Sequence, residues 1–270
     1  SWAYGFTYAY SCILWAMFNA QDKLLENIEK LRDVNKIMNA VRADAWALVM
    51  EGYLNYLNGH YNNACDLVLQ GLRITREETG EAAILAESPI LLARIEIARR
   101  RYSAAAEYIR EALDYATTLG RKHDIARVYL LYAQYDTLQK KYEDAVGHAQ
   151  QSLEYAEKCG MKEIIWQAHH TLAKVYLIQR KQKAAKEELG KANAVLDVII
   201  NNLGDDLKKI YLKRKEVQEF RKDLQITKHK TKMPREKLKN KAKKPRKASR
   251  NKKGSKMKVT KKRKPGRHGK

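Results

Sequence analysis

Over its first 226 residues the sequence contains a single proline, Pro89; the other three prolines all lie after residue 233. A sheet protein of this size turns its chain many times and uses proline and glycine to do so. Their scarcity, beside abundant Ala, Leu, Ile and Tyr, points to long helices. Cysteine is equally sparse. Cys12, Cys65 and Cys159 are odd in number, far apart and set in apolar stretches, with no Cys-x-x-Cys pair. That excludes a disulfide framework and a zinc site, and it places the protein in a reducing cytosol, or in the nucleus of a eukaryote. Also missing are a phosphate-cradling Gly-rich loop, a His-Glu-x-x-His helix and a Gly-x-Ser-x-Gly elbow. No catalytic, cofactor or metal residue is therefore assigned. His169-His170 is the one adjacent histidine pair; neighbours on a helix point about 100° apart and cannot readily share a metal, so one packs and the other faces the groove. Paired acids such as Glu77-Glu78 and Asp205-Asp206 fit solvated helix ends.

Long apolar runs are scarce too. The segment from Trp2 to Phe18 comes nearest, but no basic residue precedes it. Gly5, Thr7, Ser11 and the hydroxyls of Tyr4, Tyr8 and Tyr10 dilute it. It reads as a buried helix and not as a signal peptide or membrane span. The alternation Trp2, Tyr4, Phe6, Tyr8, Tyr10 also permits a strand.

What the chain has in excess is positive charge, net +23 over 270 residues. Residues 227–270 hold 22 of the 54 Lys and Arg and one acid, Glu236, leaving 32 basic and 30 acidic side chains before them. The basicity is a property of the tail and the body is nearly neutral.

The body repeats. Gly59-His60-Tyr61-Asn62-Asn63-Ala64 aligns with Arg100-Arg101-Tyr102-Ser103-Ala104-Ala105, with Lys140-Lys141-Tyr142-Glu143-Asp144-Ala145 and with Arg180-Lys181-Gln182-Lys183-Ala184-Ala185. The steps are 41, 40 and 40 residues. Twelve residues before each final alanine stands a small residue (Gly52, Ala93, Ala133, Ala173), and seven after it another (Gly71, Ala112, Ser152, Ala192). Gly80, Gly120 and Gly160 punctuate the units. Antiparallel helices approach closely only where facing side chains are small, so the first two small residues mark a helix crossing. The third lets the next unit's helix lie alongside. The turn tyrosine plugs the seam. Apolar residues such as Leu67, Val68, Leu72 and Ile74 fill the rest, and no unit buries its apolar face without stacking on the next.

This spacing resembles the tetratricopeptide repeat over residues 41–201. The period exceeds the usual 34 residues and looks like the 40-residue variety in the C-terminal arrays of large bacterial signalling ATPases, kinases, cyclases and maltose-activator-type regulators. Gln182 departs from the pattern by replacing the turn tyrosine. The expected fold is all-α, a right-handed solenoid of about five antiparallel helix pairs. A degenerate first unit falls at 1–40 on the Leu24, Leu25, Ile28, Leu31 stripe, four units at 41–201, a capping helix at 202–226 and a disordered basic tail at 227–270. Gly204 suits the turn before the cap, Asp205 its N-terminus, and Lys208, Lys209, Lys213 and Lys215 its outer face.

The resemblance implies a protein-binding groove along the first helices, lined by Trp46, Val49 and Tyr53, then Glu87, Ile90 and Arg94, then Arg127, Leu130 and Gln134, then Gln167, His170 and Lys174. Aromatic at one end and polar to basic at the other, it would complement a peptide with an apolar anchor and an acidic stretch. The chaperone-binding members use an asparagine where this chain has Val49, Ile90, Leu130 and His170, so capture of a chaperone's terminal carboxylate is not expected. In the tail, Lys243, Lys244, Arg246 and Lys247, and Lys261, Lys262, Arg263 and Lys264, form clusters suited to neutralising the phosphates of a nucleic acid or another polyanion, and in a eukaryote to nuclear import. No aromatic residue follows 226, so bases have nothing to stack on. The function expected is a non-catalytic scaffold whose groove holds a protein while the tail holds a polyanion. The alternative, carried by the resemblance, is the regulatory or sensor end of a larger signalling enzyme whose catalytic domain lies upstream.

Overall fold

The computed structural model describes residues 2–232, with side chains placed over 5–227. Among the described residues there are twelve α-helices and no strand. They form five consecutive antiparallel pairs: α1 (Trp2–Phe18) with α2 (Gln21–Met38), α3 (Val41–Leu57) with α4 (Tyr61–Ile74), α5 (Ala82–Ala98) with α6 (Tyr102–Thr118), α7 (Lys122–Leu138) with α8 (Tyr142–Lys158), and α9 (Lys162–Ile178) with α10 (Gln182–Asn201). A π-helical turn, Thr75–Thr79, extends α4. The strand reading of the N-terminal aromatics is excluded, since that segment is α1. No described helix is long and apolar enough to cross a membrane.

The joints explain the period. Asn19, Asn39, Gly59, Gly80, Arg100, Gly120, Lys140, Gly160 and Arg180 have positive φ, one about every twenty residues. At the end of α5 the Arg101 amide donates to the Glu96 carbonyl at 2.8 Å and the Arg100 amide to that of Ile97 at 3.0 Å. This is a Schellman close, in which one left-handed residue ends a helix by returning two amides to its last turn. The same pair of bonds recurs around Gly59, Gly120, Lys140, Gly160 and Arg180. The residue that completes each close also begins the next helix, and no side-chain cap assists at α2 through α11. At the joints with the paired closing bonds, the backbone makes the turn; at Gly80 the Glu81 amide also donates to the Thr79 hydroxyl at 3.4 Å.

All twelve small residues of the repeat are buried. A methyl on Gly52 would come within 2.4 Å of Val68 Cγ2 and 3.0 Å of the Ala64 carbonyl oxygen, so α3 and α4 touch backbone to backbone there. The third small residue corrects the expectation. A Cβ on Gly71 would meet Val49 and the Ala45 carbonyl oxygen, both in the first helix of its own unit. The equivalent Ser152 donates its hydroxyl to the Ala126 carbonyl of its own unit at 2.8 Å. In both units the third small residue serves a second close approach within the pair. In the first unit Cys12, Leu24 and Leu31 occupy the three small positions, all fully buried, so this pair is held apart by larger side chains. The turn tyrosines seal the seams: Tyr102 lies 6.5 Å from Tyr135, ring to ring, and Tyr61 lies 6.0 Å from Tyr56.

The closing segment is two helices where one was expected, α11 (Asp205–Leu212) and α12 (Lys215–Lys232). α12 also runs past the expected start of the tail. Val217 and Phe220 are fully buried, and Thr227 is buried with its hydroxyl donating to the carbonyls of Asp223 and Leu224. This stripe anchors the helix while Lys215 and Lys222 stay exposed. The tail beyond Lys232, with both of its basic clusters, lies outside the described residues.

Candidate functional site

First helices of successive units touch one another, α1 to α3, α3 to α5, α5 to α7 and α7 to α9. On that face lies a cavity of about 250 Å³. Its walls are Tyr53, Tyr56, Leu57 and Tyr61 from the second unit, Arg94 from α5, Arg127 from α7, and Glu163, Ile164 and Gln167 from α9. The ends of the domain complete it: Ala16, Met17 and Asn19 from α1 and its joint, and Arg214, Lys215 and Glu216 from the junction of α11 and α12.

Four of the twelve residues expected to line the groove therefore reach the cavity: Tyr53, Arg94, Arg127 and Gln167. Val49, Ile90 and Leu130 are instead fully packed in the core. They stand three residues before the small residue at the crossing, and one helical turn back falls on the same buried seam. Trp46 is also fully buried, 6.3 Å from the Tyr10 ring of α1. His170 and Lys174 serve α12. The His170 Nε2 pairs with Asp223 at 2.9 Å, its ring packs edge-on against Phe220, and Lys174 Nζ meets Glu219 at 2.9 Å. His169 is likewise buried, with Nδ1 at 2.6 Å from Glu188, so both members of the pair pack and neither lines the cavity. Gln134 is half-buried and outside the cavity lining. Among the described residues no three His, Cys, Asp or Glu side chains are grouped to hold a metal.

The electrostatics are uneven. Glu87, buried, receives two bonds from the Arg127 guanidinium, at 2.6 and 2.9 Å, and Arg127 also reaches Asp124 at 3.2 Å. Burial disfavours the Arg127 charge, but the Glu87 and Asp124 carboxylates more than offset it and the pKa rises. Glu163 is saturated: Arg214 and Gln167 donate to one oxygen at 2.7 and 2.6 Å, and Tyr211 and Trp166 to the other at 2.6 and 3.1 Å. Burial pushes the Tyr56 phenol up to about 12, so it stays a neutral donor. Arg94 differs from all of these, since its one hydrogen bond is to the Tyr53 hydroxyl, at 3.3 Å. Tyr56, Tyr61, Glu163 and Arg214 were not foreseen. Tyr61 carried a signal, as the turn aromatic, whereas Arg214 lies in the closing segment, where no repeat register applies.

The fold is of the tetratricopeptide-repeat type. RapI in its apo form overlays with a TM-score of 0.58 at 16% identity, covering 89% of this chain and 99% of RapI. BtubC from P. vanneervenii gives 0.56 at 18% identity, over 91% and 97% of the two chains. NprR, in complex with its cognate peptide NprX, gives 0.56 at 15% identity, over 88% and 77%. No family model and no curated protein matches the sequence.

Proposed function

We propose that this domain is a binding scaffold and not a catalyst, and that it takes a short peptide segment of a partner protein against the first helices, with one anchoring side chain or chain end in the cavity. The observation that carries this reading is convergence. Side chains from six separate parts of the array meet in one hollow, and they offer aromatic walls, amide and phenol donors and guanidinium groups. Concave sites with apolar walls and a few placed polar groups are what ligands fill. The volume suits one side chain and its polar end, and the bulk of a peptide would lie outside. The likeness to NprR, solved with a peptide, supports the reading.

The test is affinity selection of random heptapeptides on the full chain, repeated with Ile164→Trp, which fills the cavity, and with Leu69→Trp on an exposed face of α4. Recovered peptides should be lost with the first variant and kept with the second. Peptides indifferent to the filled cavity would reject the site.

A second activity rests on the composition of residues 227–270, whose 22 cations and single acid suit sequence-independent binding to nucleic acid or another polyanion. Filter binding of the full chain to duplex DNA should weaken steeply with salt and vanish when residues 233–270 are removed. The alternative of a regulatory end to a larger signalling enzyme is tested by the reading frame upstream of Ser1, where a Walker motif or kinase loop would carry it.

A further inference from the structure

The position one residue past each crossing forms a column: Tyr53, Arg94, Gln134 and Lys174. Its two cations are treated differently. Lys174 is matched by Glu219 on α12. Arg94 has no carboxylate within 4.0 Å among the described residues, only the long bond to the Tyr53 hydroxyl. The acids nearby are committed. Glu87 is taken up in two bonds by Arg127, and Asp124 is shared between Arg121 and Arg127. The cluster of Arg94, Arg121 and Arg127 against Glu87 and Asp124 thus carries one uncompensated positive charge. The two acids of the cavity wall, Glu163 and Glu216, are both paired with Arg214, at 2.7 and 3.8 Å. Lys215, also on the cavity wall, makes no ion pair among the described residues.

A half-buried guanidinium offers five donors, and with one bond to Tyr53 most of those of Arg94 are open on the cavity side to an incoming acceptor. A neutral residue would fit the column equally well, as Tyr53 and Gln134 do in neighbouring units. We propose that Arg94 is the anchor for a carboxylate of the bound peptide, received in the cavity between Arg94 and Lys215. This rests on the peptide-binding reading above and narrows it. Of the basic residues expected along the groove, Arg127 and Lys174 are neutralised within the domain, so the ligand needs a single carboxylate at one place and not an acidic stretch. Arg94 is oriented for this by Tyr53, whose ring packs edge-on to Tyr56 at 6.1 Å.

Three heptapeptide pools distinguish the possibilities when selected on the full chain: one containing Asp and Glu with an amidated end, one lacking acids with a free C-terminus, and one lacking acids with an amidated end. Recovery from the third pool should be about tenfold or more below that from whichever carboxylate pool binds, and that pool identifies side chain or terminus as the source. Arg94→Met should abolish this preference, Arg94→Lys should restore part of it, and both should melt within a few degrees of the parent. Equal recovery from all three pools, or a preference that survives Arg94→Met, would overturn the carboxylate assignment while leaving peptide binding in place. No recovery from any pool would overturn both.

Discussion

The ring of Phe18, at the end of α1, lies 5.5 Å from the ring of Tyr211 in α11, so the first and last parts of the array meet. Tyr211 also donates to Glu163 in the cavity wall at 2.6 Å. Contact between the ends and construction of the cavity are thus one arrangement. Phe18→Ala and Tyr211→Ala should each lower the unfolding free energy by about 3 kcal/mol through lost burial. In urea melts the double variant should fall short of additivity by about 0.5–1.5 kcal/mol, the worth of an aromatic pair. Strict additivity would mean that the rings are neighbours without coupling.

The helix joints make a second prediction of both signs. Arg100, Lys140 and Arg180 hold φ near +60° with a side chain attached, at a cost of about 1 kcal/mol each. Replacing any one by glycine should stabilise the domain by roughly 0.5 kcal/mol after the added freedom of the unfolded chain is subtracted. Gly120→Ala should destabilise by about 1 kcal/mol. Thermal melts of the single variants test the set, and a uniform loss on Arg→Gly would contradict the geometry.

Gly52→Ala should cost about 2–3 kcal/mol, since its methyl would collide with Val68 and press on the Ala64 carbonyl. Gly147→Ala, in open space on α8, should instead gain a few tenths of a kcal/mol from helix propensity. Parallel urea denaturation of the two variants separates the effect of the crossing from that of composition.

His170 supplies the pH dependence. Burial drives its pKa below the ordinary 6.5, more than the Asp223 carboxylate raises it, with Lys174 opposing and Glu219 assisting protonation. The unfolded chain therefore binds a proton that the folded chain refuses. Stability from this residue is full above pH 6.5 and falls as pH drops from there toward the folded value. Melting temperature should decline on acidification below about pH 6.5, and His170→Gln should flatten that slope. An unchanged slope would assign the acid sensitivity to other groups.

The thiols should separate by reactivity. Cys12 is fully buried and its pKa is pushed up to about 12 by that burial; Cys65 is buried beside Glu96 and is raised too. Cys159 is exposed. Iodoacetamide on the native protein should label Cys159 first, with Cys12 and Cys65 modified only in denaturant, as peptide mass mapping would show.

The second to fifth helix pairs were legible because contact constrains them: their crossings carry Gly, Ala or Ser, and that spacing recorded which positions must be small. The partner of Gly71 was misjudged because spacing tells which side chains must be small and not which helix presses on them. The inner-face residues were half legible. Arg94 and Arg127 follow from register, whereas Val49, Ile90 and Leu130 belong to a first helix packed on more sides than a groove-facing helix would be. His170 and Lys174 could not be read as packing residues, since Asp223 and Glu219 stand on a helix outside the repeat. Non-glycine joints at Arg100, Lys140 and Arg180 carried no signal beyond their period.

Main-chain bonds close most of the joints and small residues mark the crossings of the second to fifth units, so much of the shape is set by a small part of the sequence. Wall residues outside the Glu163 and Arg127 bonds, such as Arg94 and Lys215, can be changed with that frame left standing. The architecture separates inheritance of form from choice of ligand: descendants of such a chain can change what they hold without relearning how to fold.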